Sequence, residues 1–381
     1  MDKRKALILL QELLKIKSVN NHEAQVADYI KLLFDQYPAA QVTEVNYAPG
    51  RSNLVITIHG DQPGKTLGLS GHLDVVSPGD ISAWHHPPFA GEMDTDNVYG
   101  RGASDMKGGL AALIYVLLDL LAEKRSFAGT IRLFATVGEE TGNYGAAQLT
   151  RQGFADELDA LIVAEPSNLQ VEYTHRGVID YEVSATGKAA HSANPAAGNN
   201  AIDQLFRFYE AITTLMTPKT KVDPVLGPLL HNVTQIAGGE QINSIPARAR
   251  LYGNIRTTPL YPNQPLMAEI EALVAELNQQ PENELQLTYH YPESPLPGNP
   301  QAPFVQLFRK VATHTLGHKV AVVGDSGATD ASEFIRAAQK FPVVIFGPGN
   351  DSGHQADEYV AIKDYIAAIT IYQQVILQFL R

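Results

Sequence analysis

Gly71-His72-Leu73-Asp74 sets an imidazole and a carboxylate two residues apart, directly after an apolar run at 66–70 that reads as a short buried strand. On a strand, positions i and i+2 face the same way. His72 and Asp74 are therefore expected to look into one cleft at the carboxyl end of a sheet, where open α/β sheets bind ligands. Imidazole beside carboxylate is metal-site chemistry, in which the ring ligates and the acid fixes its tautomer. A histidine near an aspartate is also what an ordinary hydrogen-bonded pair looks like, so the pair alone decides nothing.

Other positions repeat the placement. Asp105 sits in the glycine-rich loop Tyr99-Gly-Arg-Gly-Ala-Ser-Asp-Met-Lys-Gly108, just before a long apolar helix. Glu139 and Glu140 follow an apolar strand at 130–137 and are flanked by Gly138 and Gly142. Glu165 ends the apolar strand 160–164, and His354 follows the strand 343–346 and the loop Gly347-Pro-Gly-Asn-Asp-Ser-Gly353. Acidic and imidazole side chains recurring at strand ends read as one site.

The elements that must position them follow from periodicity. Helices are predicted at 3–17 and 22–37, with Asn20 or Asn21 as a cap for the second, and strands at 54–59 and 66–70. The helix after Lys107 is apolar nearly all round and is expected to lie buried against a sheet. A strand at 130–137, a helix at 143–152 and a strand at 160–164 continue the alternation. That alternation predicts an α/β fold with a mostly parallel sheet flanked by helices. After Gly177 the pattern changes to half-buried strands at 178–186, 233–237, 247–256 and 284–291, with helices at 199–216 and 266–278. The order βαββαβ predicts an inserted ferredoxin-like α+β domain. The proline-rich run 291–300 then returns the chain for a helix at 302–315, a strand at 319–323, a helix at 330–338, a strand at 342–346 and a helix at 362–379. The expected organisation is a catalytic domain at 1–176 and 292–381 interrupted by an inserted domain at 177–291.

Composition bounds the chemistry. The 381 residues, 44% hydrophobic, can bury a sizeable core in two domains. The absence of cysteine excludes a disulfide scaffold and any thiolate metal site, so a metal must be held by nitrogen and oxygen. A formal net charge of −12 with no basic stripe argues against nucleic acid as a partner. Gln11, Glu12 and Lys15 interrupt the apolar run near the start, which reads as an amphipathic helix rather than a leader. The most apolar stretch, 110–122, is too short to span a bilayer and contains Asp119. A soluble cytoplasmic protein with no membrane association is expected.

Gly-His-x-Asp, Gly-Arg-Gly-x-x-Asp-Met-Lys-Gly, Gly-Glu-Glu, the strand-ending Glu165, Gly187-Lys-Ala-Ala-His191-Ser, Asn243 with Arg256-Thr, and Gly347-Pro-Gly-Asn with His354 occur in this order across nearly the whole chain. The set resembles the co-catalytic zinc amidohydrolase family that includes succinyl-diaminopimelate desuccinylase, acetylornithine deacetylase, aminoacylase and carboxypeptidase G. The resemblance implies two Zn²⁺ ions per subunit, with Co²⁺ or Mn²⁺ as substitutes. It implies His72, Asp105, Glu140, Glu165 and His354 as ligands, with Asp105 bridging, Glu139 as general base, and Asp74 holding His72. It implies that the inserted domain is a dimerisation (lid) domain, through which His191 reaches the active site of a neighbouring subunit in a homodimer. Asn243 and Arg256 resemble contacts to a substrate carboxylate, and Arg176, Thr329 and Asn350 are similar to further substrate-shell positions.

The implied reaction is hydrolysis of the amide of a small N-acyl amino acid. Ser326-Gly-Ala-Thr-Asp330 and Asn350 look more like the desuccinylase, acting on N-succinyl-LL-diaminopimelate. His175-Arg-Gly177 and His191-Ser-Ala-Asn-Pro look more like acetylornithine deacetylase. The desuccinylase is the first reading. A deacetylase or broader deacylase, a di- or tripeptidase on the same scaffold, and a non-catalytic binding protein are the alternatives.

Overall fold

The computed structural model describes residues 1–381. Its contacts divide the chain into two compact units, one comprising Met1–Thr174, Pro297–Gly324 and Thr329–Arg381, the other His175–Leu296 with Asp325–Ala328.

The first unit is built on an eight-stranded sheet. Its strands lie in the order Ala40–Ala48, Arg51–His59, Ala128–Thr136, Gln62–His72, Ala160–Val163, Val343–Ile345, Val171–His175 and Val322–Asp325. The central pairings are parallel: Gln62–His72 pairs with both Ala128–Thr136 and Ala160–Val163, and Val343–Ile345 joins the far side of the latter. The edge pairings, Ala40–Ala48 with Arg51–His59 and Arg51–His59 with Ala128–Thr136, are antiparallel. The parallel centre is the part predicted. The outer strand Ala40–Ala48 was not, because its burial is patchy, with Val45 as its one fully buried side chain.

The helix Lys107–Ala122 lies against the strand Gln62–His72 and between the helices Lys3–Lys15 and Ile362–Phe379. Its Leu110, Leu113, Ile114, Val116 and Leu117 are fully buried, each contributing about 1.5–3 kcal/mol of apolar transfer. Gly109 brings its first turn against the strand ends. A Cβ there would meet the carbonyl oxygen of Ala164 at 1.9 Å. The helix thus starts where the carboxyl ends of the parallel strands converge.

Two local expectations are corrected. The second helix is Ala24–Asp35 with Glu23 at its N-cap and no side-chain capping bond, while Asn21 adopts a left-handed conformation. The helix predicted at 330–338 is the four-residue Ala331–Phe334, after which the chain breaks into turns.

The second unit carries an antiparallel four-stranded sheet in the order Leu230–Gly238, Arg248–Thr257, Gly177–Thr186, Leu285–Glu293. The helices Ala201–Met216 and Asn263–Leu277 cover one face. There Tyr181, Val183, Leu205, Phe208, Leu251 and Ile270 form a core of their own. The alternation read from the sequence is this sheet's one-sided burial.

Candidate metal centre

His72 is the last residue of its strand and fully buried. Its Nδ1 lies 2.9 Å from the main-chain oxygen of Asp74. A carbonyl only accepts, so Nδ1–H donates and Nε2 is the free ring nitrogen. Nε2 faces three carboxylates: Asp105 Oδ1 at 3.1 Å, Glu165 Oε2 at 3.8 Å and Glu139 Oε2 at 4.0 Å. His354, in a left-handed conformation at the end of its loop, brings Nε2 to Glu140 Oε2 at 3.0 Å and Asp105 Oδ2 at 3.4 Å. Asp105 therefore offers one oxygen to each imidazole.

Asp74 holds His72 through its main-chain oxygen, while its carboxylate lies 3.8 Å from Nδ1. The carboxylate oxygens instead accept the N–H groups of Glu139 and Glu140, each at 3.2 Å. Those acids occupy a short 3-10 turn entered through Gly138 in a left-handed conformation. A Cβ at Gly138 would crowd Arg51 Nη2 at 2.6 Å.

The electrostatics are those of a site short of positive charge. Burial pushes the Glu139 and Glu165 carboxyls well above their usual range, and each raises the other or is raised by a neighbouring acid. Burial alone would lower His72, but Glu165, Asp105 and Glu139 carry it well above 6.5. Hydrogen bonds donated to the Asp105 and Glu140 carboxylates raise His354 to about 10. Burial would raise Asp105, but the two imidazoles hold it well below an ordinary aspartate.

Both His72 with Glu139 and Glu165, and His72 with Asp105 and Glu140, present one ligand atom each within 4.8 Å of one another. Glu165 Oε1 is buried without a hydrogen-bond partner. Buried oxygens facing one another, an orphaned acceptor and an imidazole with its free nitrogen turned inward are what a bound cation satisfies. The nitrogen and oxygen donor set fits a divalent metal.

Residues 68–378 match the family described as Peptidase family M20/M25/M40. The chain belongs to this M20 peptidase family. A Staphylococcus aureus protein named probable succinyl-diaminopimelate desuccinylase is 34% identical over 401 residues, spanning 98% of this chain and 97% of that one. Among solved structures, an M20 metallo-carboxypeptidase of Sulfolobus solfataricus superposes with a TM-score of 0.81 at 19% identity, covering 100% and 99% of the two chains. A Bacillus subtilis protein described as a dinuclear metal binding peptidase of the M20 family superposes with a TM-score of 0.72 at 16% identity, over 99% and 98%. The α/β fold is that of M20 peptidases, and this M20 protein is a metal-dependent amidohydrolase.

The other predicted residues fall in distinct places. Thr329 uses its hydroxyl oxygen to accept the N–H of Ala331 at 3.2 Å. The side-chain oxygen of Asn350 accepts from Ser352 N–H at 2.8 Å and its amide donates to the Tyr359 oxygen at 3.0 Å, so both ends fold the loop. In the second unit His191 is exposed, and Ser244 beside Asn243 pairs with it. Arg176 is buried in the second unit. Its guanidinium donates to the carbonyls of Leu226, Pro228 and Arg256, and burial first, then the like charge of Arg256, lowers it, with Asp223 opposing.

Three residues around the site were given no role in the sequence reading, although Lys107 and Asp330 stand inside its motifs. Asp330 is buried, accepts the Thr136 hydroxyl at 2.5 Å, and is pushed by burial up to about 7. Lys107 is buried, donates to the oxygens of Leu13 and Ile16 at 3.0 and 2.7 Å, and is lowered by burial to about 7. Glu358 is buried beneath the Asp105 loop. Lys107 and Asp330 lie within quoted motifs, whereas Glu358 had only its place four residues after His354 as a signal.

Proposed function

We propose that this M20-family amidohydrolase removes the acyl group from an N-acyl amino acid, with N-succinyl-LL-diaminopimelate as the first substrate and Zn²⁺ as the metal. The observation that carries the reading is Asp105 shared between His72 and His354, with Glu165 beside the first imidazole and Glu140 beside the second. In this reading His72, Asp105 and Glu165 hold one ion, and Asp105, Glu140 and His354 the other. Two such ions, when bound, would supply polarisation of the scissile carbonyl and a water acidic enough to react near neutral pH. Glu139 would accept a proton from the attacking water on its carboxylate and deliver it to the departing nitrogen. Asp74 fixes the backbone of Glu139 and the tautomer of His72 through separate oxygens. The succinyl preference is supported by the name of the S. aureus relative.

In the second unit, Arg256, Asn243 and His191 are proposed to meet substrate; in the first unit, Thr329 is proposed to do so. The edge strand Leu230–Gly238 pairs on one side only and exposes Leu230 and Ile236. We propose that a second copy associates through this unit. A cytoplasmic setting accords with the absence of cysteine, and no helix is long and apolar enough to cross a membrane.

The test is kcat/KM on N-succinyl-LL-diaminopimelate, N-acetyl-L-ornithine and a tripeptide, in zinc buffer and after chelation. A zinc-dependent preference for the succinyl substrate is expected. Preference for the acetyl substrate or the peptide overturns the substrate, and indifference to chelation overturns the metal.

A further inference from the structure

The loop that delivers Asp105 is folded around a carboxylate. Glu358 is fully buried, and its Oε1 accepts the backbone N–H groups of Ser104 and Asp105, each at 2.9 Å. Its Oε2 accepts the N–H of Gly102 at 3.1 Å and an N–H of the Arg101 guanidinium. The main-chain oxygen of Glu358 accepts the N–H of Gly100 at 2.9 Å. Three amides within four residues thus converge on one side chain. That arrangement is the backbone concavity that elsewhere binds a free anion, and here the chain supplies the anion itself.

The anchor is rigid on its far side. Arg101 is buried, stacks over Trp84 at 5.2 Å and also reaches the Ser77 oxygen. The preceding residue, Asp357, accepts the N–H groups of His85 and His86 at 2.7 and 3.0 Å and pairs with His85 Nδ1 at 2.6 Å. His354 lies four residues before Glu358 on the same loop. One short segment therefore carries one imidazole of the centre and seats the carboxylate shared by both.

We propose that Glu358 is a positioning residue of the metal centre. By fixing the N–H of Asp105 it aims the two Asp105 oxygens at His72 and His354. The proposal rests on the ligand assignment above. The carboxylate is specifically required, because all four donors are N–H groups. A glutamine would turn its own NH₂ toward at least one of them, and charge-assisted bonds would become neutral ones.

The experiment compares wild type, Glu358→Gln and Glu358→Asp after metal removal. Zinc affinity and stoichiometry are read by competition with a chromophoric chelator, with Tm recorded alongside. E358Q is expected to bind zinc about 10–100-fold more weakly, with kcat recovered by raising zinc and KM near wild type. E358D keeps the charge but draws the oxygens back by one methylene, and is expected to lose about tenfold. A lowered Tm with wild-type zinc affinity in either folded variant overturns the proposal, because a residue that merely stabilises the fold behaves that way. Wild type that takes up no zinc overturns the ligand assignment and this proposal together. Two tightly bound zinc ions in both wild type and E358Q overturn this proposal alone.

Discussion

The backbone N–H of Glu139 donates to Oδ1 of Asp74 at 3.2 Å, while Oδ2 takes the next N–H, that of Glu140, at the same distance. The acid beside His72 thus shapes the turn bearing the proposed base and a proposed ligand. Asp74→Asn leaves the main-chain oxygen on His72 Nδ1 unchanged, but sets an NH₂ against one of the two amides. We expect the first equivalent of zinc to be retained and the second, at Glu140 and His354, to weaken about 10–100-fold. Equal weakening of both, measured by chelator competition, would show that Asp74 acts mainly through His72.

Glu139→Gln tests the base. The substitution preserves shape and the N–H held by Asp74, and removes the acceptor of the proton. Zinc content is expected to stay at two per chain while kcat falls about 10²–10⁴-fold. Robust turnover in E139Q removes Glu139 from that role.

The site's titration predicts how metal and pH interact. His354 is raised from 6.5 to about 10, and His72 well above 6.5. Between pH 7 and 10 the folded metal-free protein therefore holds more protons on these rings than the unfolded chain, so its stability falls as pH rises. Lys107, lowered from 10.5 to about 7, titrates in the same window with opposite sign, with or without metal. The Tm difference between zinc-loaded and metal-free protein is expected to widen from pH 7 to pH 9, since binding displaces those protons. A constant difference contradicts the assignment of the imidazoles as ligands.

Legibility in the sequence followed the physics of each feature. The parallel strands and the helix Lys107–Ala122 were readable because burial on both faces leaves continuous apolar runs. The strand Ala40–Ala48 was not, because an edge strand has little to bury. His72, Asp105, Glu139, Glu140, Glu165 and His354 were visible as chemistry at strand ends, where a carboxylate has no structural reason to recur. The roles of Glu358 and Lys107 were not legible for the converse reason: most of their partners are main-chain atoms remote in sequence, which no side-chain pattern encodes. Asn350 and Arg176 were named only by family resemblance, and the backbone partners of their polar atoms are likewise not encoded in any side-chain pattern.

Lys107→Met tests one of these hidden contacts. The Lys107 ammonium joins the end of helix Lys3–Lys15 to the helix that starts behind the metal centre, through the oxygens of Leu13 and Ile16. Methionine keeps most of the buried side-chain length but leaves two carbonyls without that donor. A loss of about 1–3 kcal/mol in unfolding free energy is expected, with kcat/KM near wild type. A loss of activity without a loss of stability would place Lys107 in the chemistry instead.

Arg176 and Arg256 separate a structural cation from a recognising one. Arg176 is buried against three carbonyls, whereas Arg256 lies half-buried on the strand Arg248–Thr257. Arg176→Leu orphans those carbonyls and is expected to lower unfolding free energy by about 1–3 kcal/mol. Arg256→Leu removes a like charge from beside Arg176 and is expected to leave stability unchanged or slightly raised. If Arg256 clamps a substrate carboxylate, the same variant raises KM for the N-acyl amino acid about 10–100-fold, the loss of one charge-assisted bond of about 1.5–3 kcal/mol. Denaturant melts and steady-state kinetics on the two variants decide it: an unchanged KM in Arg256→Leu withdraws Arg256 from recognition, and the anionic group of the substrate must then be met elsewhere.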